Sequence, residues 1–239
     1  QAIRQEIRTS FDLENGPLIK IGLFQIASEE YLFLLKLHHI ISDGSSMDIL
    51  FDELIKRYNA IIDQTLFQAI PLNTQYKDFA SGQQTNTADA KHKTYWLQEF
   101  ANGIPRLELN PDFVRPPINS FRGAGVNLSF DEKDTRQLKE FCQRHGVSLY
   151  MLFSSMLNVL LYKYTGQKDL VIGSPFSGRT HIDLVPQVGV YGNLLAFRHQ
   201  LKEEETYHDF LKQVRQKTLA GYTHQSYPFN ALVKELAIT

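Results

Sequence analysis

The sequence predicts an α/β protein built in two lobes, and three observations carry that prediction. Apolar stretches with strand character alternate with stretches that repeat apolar residues at helical spacing. Pro105, Pro111, Pro116 and Pro117 fall within one short run, which neither a helix interior nor a central strand tolerates. At 239 residues the chain is long enough for one large domain or two lobes. We therefore read 1–104 as a first lobe, 105–120 as a proline-rich linker and 121–239 as a second lobe.

In the first lobe, Ile3, Ile7 and Phe11 have helical spacing over 2–11, and 12–17 is a turn. Leu18 to Ile26 alternates as a strand, and Ser28-Glu29-Glu30 turns it back into Tyr31–Leu37, which predicts a hairpin. Tyr31–Leu37 is almost unbroken apolar sequence, suited to a strand covered on both faces. Asp43-Gly44 is a turn, and Ser45 with Asp48 fits a helix-opening capping pattern. Leu50, Leu54, Tyr58 and Ile61 then form one helix face, widened by Phe51 and Ile55. Residues 71–79 read as irregular, 81–93 as a solvated linker or frayed helix start, and 95–100 as the close of a short helix.

The second lobe reads strand, helix, helix, strand, strand, helix. Residues 121–130 alternate as a strand. Residues 132–145 are amphipathic through Leu138, Phe141 and Cys142, with Gly146 as the stop. Ser148 caps a helix that ends near Gly166 and is apolar on most sides, so burial is expected. Strands follow at 169–173 and 188–197, with close backbone approach expected at Gly189 and Gly192. Thr206 opens a helix through Phe210, Val214 and Leu219, and 229–236 begins another.

Composition narrows the class of function. Apolar residues make up 43% and charged residues 21%, and the formal net charge is −1, so no broad field points to nucleic acid or an anionic membrane. A lone cysteine, Cys142, excludes a disulfide framework and a cysteine-rich zinc site and fits a cytoplasmic setting. The most apolar helical run, 150–162, is too short to span a bilayer. The chain opens on QAIRQEIRTSF and stops at ELAIT, which reads as a piece of a longer polypeptide.

Candidate chemistry sits after the second strand. His38 and His39 precede Asp43-Gly44, and imidazole is the side chain best suited to proton transfer near neutral pH. If the strand continues through both histidines they face opposite sides, so one is a candidate base and the other packs in the scaffold. Spacing does not say which. A metal site is disfavoured because adjacent strand imidazoles diverge and the remaining histidines are scattered. Ser42, Ser45 and Ser46 lack a nucleophile elbow.

The stretch His38-His39-Ile40-Ile41-Ser42-Asp43-Gly44 resembles the HHxxxDG motif of nonribosomal peptide synthetase condensation domains, which share the chloramphenicol acetyltransferase-like fold. Further segments fit the same family in the same order: Phe11-Asp12-Leu13, Tyr76-Lys77-Asp78-Phe79-Ala80, Ser120-Phe121-Arg122-Gly123, Gly173-Ser174-Pro175 with Gly178-Arg179, Val188 through Asn193, and His224-Gln225-Ser226-Tyr227-Pro228-Phe229.

The resemblance implies two acetyltransferase-like lobes, both incomplete, with a tunnel between them. It implies peptide bond formation between a donor acyl thioester and an acceptor aminoacyl thioester. Both arrive on 4'-phosphopantetheine arms of carrier proteins, inside a multidomain synthetase with adenylation domains. No cofactor of its own, metal, nucleic acid or membrane is implied. His39 is the family's catalytic histidine, Asp43 holds the corner by pairing with an arginine, and the Gly44 N–H approaches the developing oxyanion. His38, Asn193, Arg179 and His224 are tunnel or support residues, with structural roles expected for Arg179 and His224. The arginine partner of Asp43 is expected in an opening segment that this chain lacks. Ser45, Gly82, Leu194 and Asn230 depart from the family pattern. Epimerisation, another HHxxxDG acyl transfer, or a non-catalytic recruitment role are the alternatives.

Overall fold

The structure is a computed structural model and describes residues 2–85, 90–114, 116–120 and 123–238. Its elements are α1 (Ala2–Arg8), β1 (Ile19–Ala27), β2 (Glu30–Leu37), α2 (Gly44–Ile62), α3 (Tyr76–Thr85), α4 (Ala90–Glu99), α5 (Glu132–His145), α6 (Leu149–Thr165), β3 (Asp169–Phe176), β4 (Asn193–Gln200), α7 (Tyr207–Thr223) and α8 (Phe229–Glu235), with a short 3₁₀ turn at Ile182–Leu184. Mixed helices and small sheets make this an α/β protein. The chain falls into two compact units. The first holds Gln1–Ala88 and Phe176–Asn193, and the second holds Asp89–Pro175 and Leu194–Thr239. The change of unit therefore lies before α4, and the proline-rich 105–120 stretch belongs to the second unit instead of linking two. The 176–193 strap returns to the first unit because its polar groups bond the start of α2, as described below.

In the first unit β1 and β2 pair antiparallel, with Ile19 opposite Leu37 and Leu23 opposite Phe33. The predicted hairpin forms, but Tyr31, Leu32 and Phe33 are exposed, so β2 is not covered on both faces. The apolar face of α2 is likewise open at Leu54, Tyr58 and Ile61. Among the described residues, Tyr191 is the only buried apolar one in this unit. Residues 76–79, read as irregular, open α3, where Asp78 accepts from the Gln75 N–H at 2.8 Å.

The second unit carries the apolar core: Trp96, Phe100, Leu152, Leu170, Leu195, Phe197, Phe210, Leu211, Val214 and Leu232 are all buried. Its helix ends follow local chemistry. Asp131 caps α5 by accepting from the Asp134 N–H, and Ser148 caps α6 by accepting from Met151. Thr206 caps α7 in the same way. Gly146 and Gly166 end their helices in the left-handed conformation, at φ 62° and 72°, where a side chain would crowd the backbone.

Three expectations fail here. Residues 123–130, the described part of the predicted strand, form no strand and leave Val126 and Leu128 exposed, since alternation needs a partner to become a ladder. The last strand begins at Asn193, not 188, because the 188–192 backbone is drawn onto α2. On α6 the buried side mixes apolar Met151 and Leu152 with polar Ser155 and Asn158, while Phe153, Met156 and Leu160 remain open. Among the described residues, no single helix is long and apolar enough to cross a membrane.

Candidate active site

The strand ends at Leu37, so both histidines lie past it, at the start of the turn into α2. Alternation along a strand therefore never applies to them, and local bonding separates them instead. His38 is tied in. Its N–H donates to the Leu18 carbonyl at 3.0 Å, its Nδ1 accepts from the Ile40 N–H at 3.1 Å, and its ring meets Phe11 edge-on at 5.7 Å. His39 is exposed and makes no hydrogen bond among the described residues. One histidine is scaffold, and the other is presented.

Asp43, not Ser45, is the cap of α2. Its Oδ1 accepts from the Ser46 N–H at 2.8 Å and from the Ser46 hydroxyl at 2.6 Å, and the Asp43 N–H donates to the Ser46 Oγ at 3.3 Å, which closes a capping box. The spacing Asp43-x-x-Ser46 is the sequence signal that would have found it. Gly44 is the first helical residue, and its N–H has no partner among the described residues. Among those residues no hydrogen bond joins Asp43 to either imidazole.

Asp43 does find an arginine, and it is Arg179. The Arg179 Nη2 lies 2.9 Å from Asp43 Oδ1, with side chains 5% and 10% exposed. This corrects the expectation of a partner in an opening segment. The same guanidinium donates through Nη1 to the carbonyls of Leu184 and Gln187 and stacks over Tyr191 at 4.3 Å. Asp43 Oδ2 accepts from the Tyr191 N–H at 3.2 Å. Burial pushes the Asp43 carboxyl up, but the hydrogen bonds from Ser46, Arg179 and Tyr191 outweigh it and hold the group below its usual range.

Ser46, which no motif singled out, joins this corner to the strap. It is fully buried, and its Oγ accepts from the Gly189 N–H at 3.0 Å while lying 2.9 Å from the Gly189 carbonyl oxygen. Its single proton has two acceptors, the Asp43 carboxylate and that carbonyl. Gly189 must be glycine here, because a Cβ would come within 2.4 Å of the Tyr76 ring. The Tyr191 hydroxyl donates to the side chain of Gln187, whose amide donates to Thr74 at 2.7 Å. Asn193 begins β4 and is half-buried.

His224 belongs to the second unit and not to this corner. It ends α7, stacks on Tyr95 at 4.1 Å and places its Nδ1 2.8 Å from that of His92. Its carbonyl accepts from the Trp96 indole at 2.9 Å. Among the described residues no group of three or more His, Cys, Asp or Glu side chains is arranged to hold a metal.

The Condensation domain family model matches residues 1–239. The chain is 42% identical over 231 residues to Gramicidin S synthase 2 of Aneurinibacillus migulanus, covering 95% of this chain and 5% of that protein. It is 36% identical over 241 residues to Surfactin synthase subunit 1 of Bacillus subtilis (strain 168), covering 100% of this chain and 6% of that protein. Among solved structures, the X-domain from teicoplanin biosynthesis matches with TM-score 0.85 at 26% identity, over 98% of this chain and 54% of that one. The first condensation domain of the CDA synthetase matches with TM-score 0.78 at 21% identity, over 98% and 52%. The chain thus spans a small part of the synthetases and about half of the solved domains. By the family match along its length and its identity to these synthetases, the chain belongs to the condensation domain family.

Proposed function

We propose that this chain is the catalytic part of a condensation domain that forms peptide bonds in nonribosomal peptide synthesis. The acceptor amine attacks the donor thioester carbonyl, the carrier thiol leaves, and the lengthened acyl chain stays on the acceptor carrier. The observation that carries this reading is the contrast between the two histidines: His38 is bonded into the scaffold, while His39 stands exposed beside a corner held by buried charge.

In this reading His39 positions the attacking amine or takes its proton. Asp43 and Arg179 hold the turn, and the Gly44 N–H stabilises the oxyanion of the tetrahedral intermediate. Asn193 lines the substrate path from the strap side. Substrates arrive on phosphopantetheine arms of donor and acceptor carrier proteins within a cytoplasmic multidomain synthetase. The two units are parts of the family's two acetyltransferase-like lobes.

One observation favours a second reading. The X-domain of teicoplanin biosynthesis, solved in complex with OxyB, matches this chain with TM-score 0.86 at 26% identity, which supports recruitment of a partner protein as the alternative role.

The test uses the full domain with donor and acceptor carriers loaded as aminoacyl thioesters. The acceptor mass should rise by the donor acyl group, and His39→Ala should lower the rate at least 100-fold. Product formed equally by both proteins would remove His39 from the chemistry. No product from folded domain with loaded carriers would favour recruitment.

A further inference from the structure

In the second unit, the end of α5 and one stripe of α7 enclose a cleft of about 170 Å³. It is lined by Arg144, His145, His208, Lys212 and Arg215 over a floor of Val147 and Leu211. No carboxylate lines it among the described residues, although the chain as a whole carries a net charge of −1. We infer that this cleft binds a phosphoryl oxyanion, a site that lies beyond the condensation chemistry proposed above.

The crowding of cations requires an explanation. His208, Lys212 and Arg215 lie at i, i+4 and i+7 on one face of α7, and the like charges of Lys212 and Arg215, three residues apart, repel. The rings of His145 and His208 meet edge-on at 4.9 Å. Part of the cluster has local work. The Arg215 Nε donates to the Gly146 carbonyl at 2.8 Å, and the Arg144 Nε to Glu140 at 3.4 Å, both at the carbonyl end of α5.

Those bonds use one nitrogen of each guanidinium, and among the described residues no carboxylate pairs with either. Among the described residues the acidic partner is Asp209, which meets Lys212 at 3.1 Å and also accepts from Thr206. His208 has no carbonyl of α5 to cap. What remains is a concave, donor-rich surface whose two guanidiniums have no carboxylate partner among the described residues. Guanidinium nitrogens and an ammonium around a small cleft match a tetrahedral oxyanion, which accepts several charge-assisted hydrogen bonds at once.

The test uses the full domain and inorganic phosphate as probe. Thermal unfolding is followed with rising phosphate against sodium chloride at equal ionic strength. A phosphomonoester amino acid and an acidic peptide without phosphate form two further arms. We expect phosphate to raise Tm where chloride does not, and Lys212→Gln and Arg144→Gln each to weaken apparent binding about tenfold. Lys212 caps no carbonyl, so its variant is expected to keep the fold, and unchanged Tm without phosphate checks this. A response to the phosphomonoester equal to that of phosphate also supports the site. Equal stabilisation by phosphate and chloride, undiminished phosphate binding in both variants, or a response to the acidic peptide alone would overturn it.

Discussion

Replacing Arg179 by alanine should destabilise the His39 turn far more than the loss of one surface charge would. The side chain is 5% exposed and its partner Asp43 10% exposed. Removing it strands a buried carboxylate and frees the Leu184 and Gln187 carbonyls that Nη1 had satisfied. Breaking a buried pair from one side costs about 3–5 kcal/mol. Arg179→Lys should still lose about 2 kcal/mol, because one ammonium cannot reach Asp43 and the two strap carbonyls together. The double variant Asp43→Ala/Arg179→Ala should lose less than the sum of the singles, by roughly 0.5–3 kcal/mol.

The folded pKa of Asp43 lies below its ordinary value of 3.8. Its contribution is therefore present above that value and is lost as the pH falls through the lower, folded one. The gap between wild type and Asp43→Ala should close over that acidic window and stay constant at neutral pH. Trp96, the single tryptophan, belongs to the second unit, so its fluorescence would report the wrong region. Amide exchange across 40–48 in the full domain is the assay. Strictly additive single effects, or a cost below about 1 kcal/mol for Arg179→Ala, would refute a clamp.

Two further outcomes are expected. His199 is 1% exposed with neither ring nitrogen bonded among the described residues, and burial, helped by the charge of Lys217, pushes its pKa down to about 4 from 6.5. The unfolded chain then binds a proton that the folded one refuses, so stability should fall as pH drops from about 6.5 to 4, by about 3 kcal/mol in all. His199→Phe should flatten that slope in urea unfolding, and an unchanged slope would show another group is responsible. The 239-residue chain leaves Ile21, Leu23, Tyr58, Ile61 and Ile62 of the first unit each more than half exposed. On its own it should bind hydrophobic dyes and lack a cooperative transition in the first unit. Equal amide protection in both units would contradict this.

The helix stops at Gly146 and Gly166, the caps at Ser148 and Thr206, and the β1–β2 hairpin were legible because each rests on residues close together in the chain. The His-His-x-x-x-Asp-Gly stretch was legible for the same reason, as a turn entering a helix. Propensity misled at 123–130, where alternation has no partner strand, and at Tyr31–Leu37, where an apolar run stands open. The Ser45–Asp48 spacing fits a capping pattern as well as Asp43–Ser46 does, and the Ser46 bonds make Asp43 the cap.

The sequence alone determined the chemistry on offer: a pair of imidazoles, a carboxylate, a glycine at a helix start, and an α/β pattern around them. Spacing left the two histidines equivalent and the motif resemblance pointed to His39; the physical reason lies in three dimensions, where the Leu18 carbonyl and the Phe11 ring reach His38. The identity of Asp43's partner was left there too. Arg179 lies 136 residues on, and Gly189 meets Ser46 from 143 residues away. No local propensity encodes such pairs, because buried charge and buried hydroxyls are satisfied by whatever the folded chain brings within reach.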